Sequence, residues 1–337
     1  MPTPATVSEN LELRRLARGD LAGVTAIDAA GIGRSRRDYM ERRLEAALRE
    51  PSLHLQFAAE RAGTLLGYLL ARKLEGEFGR REPALRLEII GVLPGEQGHG
   101  IGSKLLGKLE SEAKGLGVRE LRTQATWRNH PMLHFFDGSG FRLGRNVVLD
   151  REAHRGVVGE EMPGTAGEPR HDASGLDYGA QAPNDFEALA RDRHDVRSLA
   201  QVDLPDIERI DRRITGRDRR AYISRIVDEA LRDSAVRVSL AAHAGESVTG
   251  FVMAKVDFGD FGRTEPVAVV DTIGVDPGFA GTGIGTALLS QLFINLDALH
   301  VERVETVIAW ENFALLEFFH RAGFGPSERL GFVKQIA

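Results

Sequence analysis

Residues 91–106 read GVLPGEQGHGIGSKLL, and residues 274–289 read GVDPGFAGTGIGTALL. The two stretches lie 183 residues apart, and the same offset carries Ile27-Asp28 onto Ile210-Asp211, Gly67 onto Gly250 and Phe78-Gly79-Arg80 onto Phe261-Gly262-Arg263. It also carries Trp127 onto Trp310, Asn129 onto Asn312 and Gly140-Phe141 onto Gly323-Phe324. No gap is needed between Asp20 and Phe141. Solenoid units recur about every 20–50 residues; this period has the size of a domain, so the chain reads as a tandem duplication. The expected domains are residues 9–153 and 194–337, joined by a linker at 154–193 that is rich in Gly, Pro and charge and lacks periodicity.

Composition narrows the function. With 44 basic against 49 acidic residues the formal net charge is −5, which disfavours bulk binding to a phosphate backbone. There is no cysteine, which removes disulfides, thiolate metal sites and a cysteine nucleophile. No apolar run has membrane-span length, and the first residues, MPTPATVSENLELRR, lack a signal-peptide core. A cytoplasmic protein without nucleic-acid or membrane partners is expected. Oligomeric state is not legible.

Within one repeat the periodicities run β-α-α-β-β-β-α-β-α-β, an α/β (α+β) arrangement with a mixed sheet and helices on its faces. Asp20 reads as a helix N-cap, and Ala62-Gly63 as a hairpin turn. The quoted stretch is a strand end, then a glycine-rich bend, then a helix from about Gly102. Unpaired N–H groups at such a bend, together with the helix dipole, suit a phosphate, and glycine allows its close approach. Neither copy has the dinucleotide fingerprint G-x-G-x-x-G or the G-K-S/T ending of a P-loop.

The pattern V-x-P-x-x-Q/R-x-x-G-x-G before a helix resembles the acetyl-CoA signature of GNAT N-acetyltransferases. In the first repeat Val92, Pro94, Gln97, Gly100 and Gly102 carry it. A second family pattern, N-x-x-A-x-x-L/F-Y-x-x-x-G-F, is approached by Asn129, Met132, Phe135, Phe136, Gly140 and Phe141, and again by Asn312, Leu315, Phe318, Phe319, Gly323 and Phe324. The resemblance covers nearly the whole chain outside the linker. It implies two tandem GNAT-type acyl-CoA N-acyltransferase folds and transfer of acetyl from acetyl-CoA (coenzyme A) to an amine acceptor, a small molecule or a protein lysine, by direct attack. It further implies that a splayed pair of parallel strands admits the pantetheine arm. The cofactor contacts so implied are Ile90, Val92, Gln97, Gly98, His99, Gly100, Ile101, Gly102, Ser103, Asn129 and Phe136 in the first repeat. In the second they are Ile273, Val275, Ala280, Gly281, Thr282, Gly283, Ile284, Gly285, Thr286, Asn312 and Phe319.

Three departures bear on activity. Ala280 stands where Gln or Arg is expected, which makes the first repeat the better-equipped site. The tyrosine that the family often uses to protonate the leaving thiolate is Phe136 in one copy and Phe319 in the other. Unassisted departure, a substitute tyrosine, or a lobe without catalysis all stay open; Tyr39 and Tyr222, matched at the offset, are the substitutes. The more usual acidic position is Arg86 or Val269, and the nearest carboxylates are Glu88 and Asp271, each read as base or amine anchor or as a salt-bridged strand residue. Alternation along the strand places Glu88, Ile90 and Val92 on one face.

Other features have ordinary explanations beside functional ones. The arginines in residues 33–39 and 216–222 either orient an acidic acceptor or start a solvated helix. Trp127 and Trp310 line a channel or pack at a strand end. His130 and His134 lie one helical turn apart but lack the carboxylate of H-E-x-x-H, so no metal is expected. A binding or sensing protein without turnover, or a one-lobe enzyme, is the alternative to two working acetyltransferase lobes.

Overall fold

The computed structural model describes residues 11–74, 83–153, 194–232, 237–257 and 259–336. The linker and Phe78-Gly79-Arg80 lie outside the described residues. The first repeat runs β1 (Glu12–Arg15), α1 (Leu21–Ile32), α2 (Arg37–Arg49), β2 (His54–Arg61), β3 (Thr64–Leu74) and β4 (Ala84–Val92). It continues with α3 (Ile101–Gly115), β5 (Glu120–Thr126), α4 (His130–Gly138), β6 (Arg142–Leu143) and β7 (Asn146–Glu152). The second repeat gives β8 (Asp195–Ser198), α5 (Leu204–Thr215), α6 (Arg220–Arg232), β9 (Arg237–Ala244), β10 (Ser247–Asp257) and β11 (Val267–Val275). After these come α7 (Ile284–Ala298), β12 (Arg303–Ala309), α8 (Phe313–Arg321), β13 (Gly325–Pro326) and β14 (Arg329–Gln335). The α/β class and the duplicated element order expected from the sequence are both present. No described helix is long and apolar enough to cross a membrane.

Each sheet has seven strands, ordered β1-β2-β3-β4-β5-β14-β6 and β13-β7-β12-β11-β10-β9-β8. The repeats therefore exchange strands. Strand β14, from the second repeat, pairs antiparallel with β5 over its whole length, from Arg329 opposite Thr126 to Gln335 opposite Glu120. The compact units do not follow the repeat boundary: Val256–Asp271 and Glu305–Ala337 belong with the first repeat.

Local chemistry explains the elements around the first site. The β2–β3 hairpin turns through Ala62 and Gly63, both at positive φ, as its tight turn requires. Asp20 stands before α1, yet its carboxylate accepts the Ala17 N–H and the Arg14 guanidinium instead of capping the helix. On α3, Ile101, Leu105 and Leu109 recur every four residues and bury against Leu85, Leu87 and Leu121 of the sheet. On the other face Val24 and Ile27 of α1 and Met40 and Leu44 of α2 cover Leu70 and Ile89. In the second unit Ile207, Ile210, Ile223 and Val227 cover Ala241 and Phe251 in the same way.

Two features of β4 shape its surroundings. Its parallel pairing with β5 is limited to Leu85 opposite Leu121 and Arg86 opposite Arg122; beyond that the strands separate. Near the divergence, the Thr123 hydroxyl donates to the Leu87 carbonyl at 2.9 Å. The second feature is a bulge: Leu70 faces Ile89 while Ala71 faces Leu87, so Glu88 is the extra residue. The alternation expected along β4 is broken there. Leu87, Ile90 and Val92 face the α3 core, and Ile89 faces α1 and α2. Glu88 pairs with Arg43 of α2 and does not share a face with Ile90 and Val92.

The exchanged strand brings Phe332 into the first core, where its ring lies 5.4 Å from that of Phe136. Phe332→Ala is expected to cost about 3 kcal/mol, read from urea unfolding, although the residue belongs to the second repeat. A change within about 0.5 kcal/mol, the range of ordinary surface substitutions, would show that β14 contributes little to the first core.

Candidate functional site

A cleft of about 740 Å³ opens on the first unit, between the splayed ends of β4 and β5 and the bend before α3. Of the residues expected to contact a cofactor there, Ile90, Val92, Gln97, Gly98 and Gly100 line it. So do Ile101, Gly102, Ser103, Asn129 and Phe136. His99 is exposed beside the bend and does not line the cleft.

The bend is built by its glycines. Gly98 and Gly100 both have φ of +79°, a left-handed conformation that L side chains rarely adopt, and a Cβ at either would meet nothing within 4 Å. Conformation, not crowding, therefore demands glycine, and the space above the bend is open. Gly100 caps α3, whose first N–H groups have no intrahelical acceptor and face that space. The Gln97 side chain donates to the Val92 carbonyl at 3.1 Å and braces the bend to the strand end. Asn129 caps α4 by accepting the Met132 N–H, and Asn312 caps α8 by accepting the Leu315 N–H, both at 3.2 Å. Phe136 is buried among Phe135, Phe141 and Phe332, as Phe319 is between Phe318 and Phe324. Trp127 and Trp310 are 48% and 53% exposed and do not line the cleft.

The floor of the cleft carries two buried carboxylates, each held by arginine. Asp28 accepts two bonds from Arg36, at 2.9 and 2.5 Å, and one from the Tyr68 hydroxyl at 2.9 Å. Glu88 accepts from Arg43 Nε at 2.6 Å and from Arg86 at 2.8 Å. Arg86 also reaches Asp260 at 3.0 Å. These carboxylates hold the Arg86 guanidinium firmly charged despite its burial.

Tyr39, one of the two expected proton donors, does not line the cleft, and its hydroxyl is spent on Asp260. Burial and the nearby Asp260 push that phenol well above the usual tyrosine range. Tyr222 is buried in the second core with its hydroxyl 3.5 Å from that of Thr272. Both tyrosines are thus packed helix residues. Asp271 lines a different, small cavity of about 90 Å³ with Arg86, Arg263 and Glu305, and no residue of the second glycine bend is in that lining.

Tyr68 was not among the residues expected from the sequence, yet it is the one tyrosine that lines the cleft among the described residues. Its counterpart at the 183 offset is Phe251, and that difference between otherwise matched repeats was its only sequence signal. Its ring occupies the space where a Cβ on Gly91 would stand, 2.5 Å from Cε1, so Gly91 is needed to seat it. Burial and Asp28 push its phenol well above the ordinary value, which keeps it protonated. The Asp28–Arg36 pair did have a signal, because Asp211 and Arg219 repeat it and form an ion pair at 2.9 Å. Phe261, Gly262 and Arg329 complete the lining from the second repeat. No inspection of the first repeat alone could have placed them.

The model of the Acetyltransferase (GNAT) family matches residues 24–141 and again 198–324, more than half of the chain. The chain belongs to the GNAT acetyltransferase family. A mycothiol acetyltransferase of Propionibacterium freudenreichii subsp. shermanii (strain ATCC 9614) is 28% identical over 217 residues, which are 63% of this chain and 64% of that protein. The chain thus spans less than two thirds of that curated relative. Among solved structures, a tandem GNAT protein from the clavulanic acid biosynthesis pathway has a TM-score of 0.62 at 17% identity, covering 97% of this chain and 99% of its own. A GCN5-related N-acetyltransferase from Sphaerobacter thermophilus has a TM-score of 0.57 at 16% identity, covering 98% and 97%. These two show the shared fold: a tandem of GNAT domains.

The second GNAT repeat differs at its own bend. Gly281 and Gly283 keep positive φ, at +77° and +92°, and Ile284, Gly285 and Thr286 come next in the first turn of α7. Before the bend, Ile273 and Val275 end β11, and Ala280 and Thr282 complete the loop. Around it, Arg209 and Arg213 of α5 grip Asp276 at 2.5 and 2.7 Å, where the first repeat has Ala26, Ala30 and Leu93. Ile214 stands where Gly31 lines the first cleft, and its Cδ1 lies 3.0 Å from where a Cβ on Gly274 would be. Ile214 thus adds a side chain where the first cleft has Gly31, while a Cβ on Gly281 would still meet nothing within 4 Å.

The Asp276 carboxyl sits below its ordinary value of 3.8 because it accepts the Gly278 N–H and faces two arginines. A folded-state value below the unfolded one adds stability at pH above 3.8, and that contribution is lost as pH falls through the folded value. Asp276→Asn is therefore expected to be less stable than the parent at neutral pH, with the gap closing on acidification below the ordinary carboxyl range. Urea unfolding across that range checks it; a gap independent of pH would contradict it.

Proposed function

We propose that the protein is an acetyl-CoA-dependent N-acetyltransferase whose working site is the cleft of the first repeat. The observation that carries this reading is the joint presence there of a splayed β4/β5 edge, an open glycine bend and an adjoining pocket with two buried carboxylates. The free N–H groups at Gly98, Gly100 and the first turn of α3 fit a diphosphate. The separated edge of β4 beyond Arg86 fits an extended pantetheine amide chain that takes the place of a neighbouring strand. The bound thioester supplies the activated acyl carbon.

The remaining work falls to this chain. Glu88, fixed by Arg43 and Arg86, anchors the acceptor ammonium near the divergence of the strands. Asp28, fixed by Arg36, adds a second negative group on the cleft floor, and Tyr68 holds its proton toward it. The amine must lose a proton before attack, and water in the open cleft carries it away. A cysteine-free chain has no thiol to carry an acyl-enzyme, in keeping with direct attack. The second repeat serves as scaffold, since it lends β14 to the first sheet and carries Ile214 where the first cleft has Gly31.

The test is thiol release from acetyl-CoA over a panel of amines. Gly100→Asp adds both a strained backbone and a negative charge at the bend, and it is expected to lower kcat/KM at least a hundredfold, about 3 kcal/mol. Gly283→Asp, the same change in the second repeat, is expected to stay within about threefold of the parent. Loss of activity on Gly283→Asp with retention on Gly100→Asp would assign the reaction to the other repeat.

A further inference from the structure

Among the described residues, Arg329 is the one guanidinium lining the cleft that is not committed to a carboxylate at close range. It opens β14 and reaches the cleft with its side chain 14% exposed. Its Nε is 3.7 Å from Glu305, which Arg263 already grips at much shorter range. Its Nη1 makes one long bond, 3.4 Å, to the Phe261 carbonyl. No described residue accepts from its Nη2. The other arginine lining the cleft, Arg36, is spent on Asp28 and on the carbonyls of Gly259 and Arg263. Burial and the neighbouring Arg263 push the Arg329 guanidinium down to about 10; Glu305, Asp257 and Glu265 oppose the shift, but none of them accepts a hydrogen bond from it.

Beside it, Phe261 has φ of +57° and ψ of 29°, in the left-handed region that a bulky residue avoids. Arginine side chains, Arg86 and Arg263, lie 5.6 and 5.4 Å from the ring centroid. The second repeat thus supplies the cleft with a fixed apolar wall and, next to it, a guanidinium with open donors. Position 146, the counterpart of 329 at the 183 offset, is Asn, so the duplication does not repeat this cation.

We infer that Arg329 binds a carboxylate of the acceptor, and that the acceptor is therefore an amino acid or another amine that carries a carboxylate. One guanidinium offering a single planar edge suits a monoanionic carboxylate; phosphate groups usually gather several cations. The amine end of such a molecule would be held by Glu88 and the acid end by Arg329, with the intervening carbons along Phe261. This assignment rests on the first-repeat acetyltransferase reading.

The experiment measures thiol release from acetyl-CoA with α-amino acids and with ω-amino acids of two to six carbons, each beside its carboxamide. The parent is expected to use at least one acid ten- to a hundredfold better than its amide in kcat/KM, the worth of one charge-assisted hydrogen bond. In Arg329→Gln that ratio is expected to fall to about one, chiefly through KM, and Arg329→Lys to restore part of it. Acetyl-CoA titration and thermal unfolding of the variants report whether they fold and hold the thioester. Amides used as well as acids by the parent, or a preference that survives Arg329→Gln, would overturn the inference and leave the acetyltransferase reading standing. Acetyl-CoA binding with no amine accepted would overturn both. If Arg329→Gln fails to fold, the acid-to-amide ratio of the parent alone decides.

Discussion

Parallel strands β4 and β5 pair at two positions and then part, and the proposed site depends on that separation. A strand edge in a sheet interior normally satisfies its neighbour; here the edge of β4 beyond Arg86 is left facing open space. The bend after β4 continues the same open space, because Gly98 and Gly100 turn the chain through a left-handed conformation with nothing above them. A strand edge and a helix start, both rich in unspent main-chain donors, thereby meet in one cleft. In the proposed function, an extended amide chain ending in a diphosphate is the shape that this pair of features would take.

The bulge at Glu88 is the second constraint. An extra residue in β4 turns Glu88 toward α2, where Arg43 and Arg86 hold it, while Ile90 and Val92 return to the α3 core. The carboxylate and the cofactor edge are thus consecutive in sequence but belong to different faces. The same separation of roles is achieved on α1, whose apolar residues bury while Asp28 joins Arg36 and Tyr68 on the cleft side. The second repeat keeps the Asp211–Arg219 pair but has Phe251, Ile226 and Val269 for Tyr68, Arg43 and Arg86. It keeps both carboxylate positions, Asp211 and Asp271, and the arginine of the first pair, but lacks the counterparts of Tyr68, Arg43 and Arg86.

Much of this is legible in the amino-acid sequence alone. The offset of 183 exposes the duplication, and the glycine bend with the helix after it discloses both the fold and the expected ligand chemistry. The features that escaped detection share a physical reason: they arise from long-range contacts. The bulge depends on the register between β3 and β4, which alternation along one strand cannot report. Tyr68 sits in an ordinary apolar strand pattern and gains its role from Gly91 and Asp28 across the fold. Arg329 reaches the first cleft because strand exchange places β14 in the first sheet, and Phe261 because the segment Val256–Asp271 packs with the first repeat. Tyr39 and Tyr222 match at the offset for packing reasons, since both are buried on helices beneath the sheet.

The central claim is that main-chain amides at the first bend, and not those of its twin, receive the diphosphate of the thioester donor. Amide hydrogen exchange with and without acetyl-CoA tests it directly, because bound ligand must slow exchange where N–H groups gain acceptors. The account predicts protection concentrated at Gly98, Gly100, Ile101, Gly102 and Ser103 and along the end of β4, with the matching residues from Gly281 to Thr286 changing far less. Equal protection at both bends, or protection at neither, would contradict it.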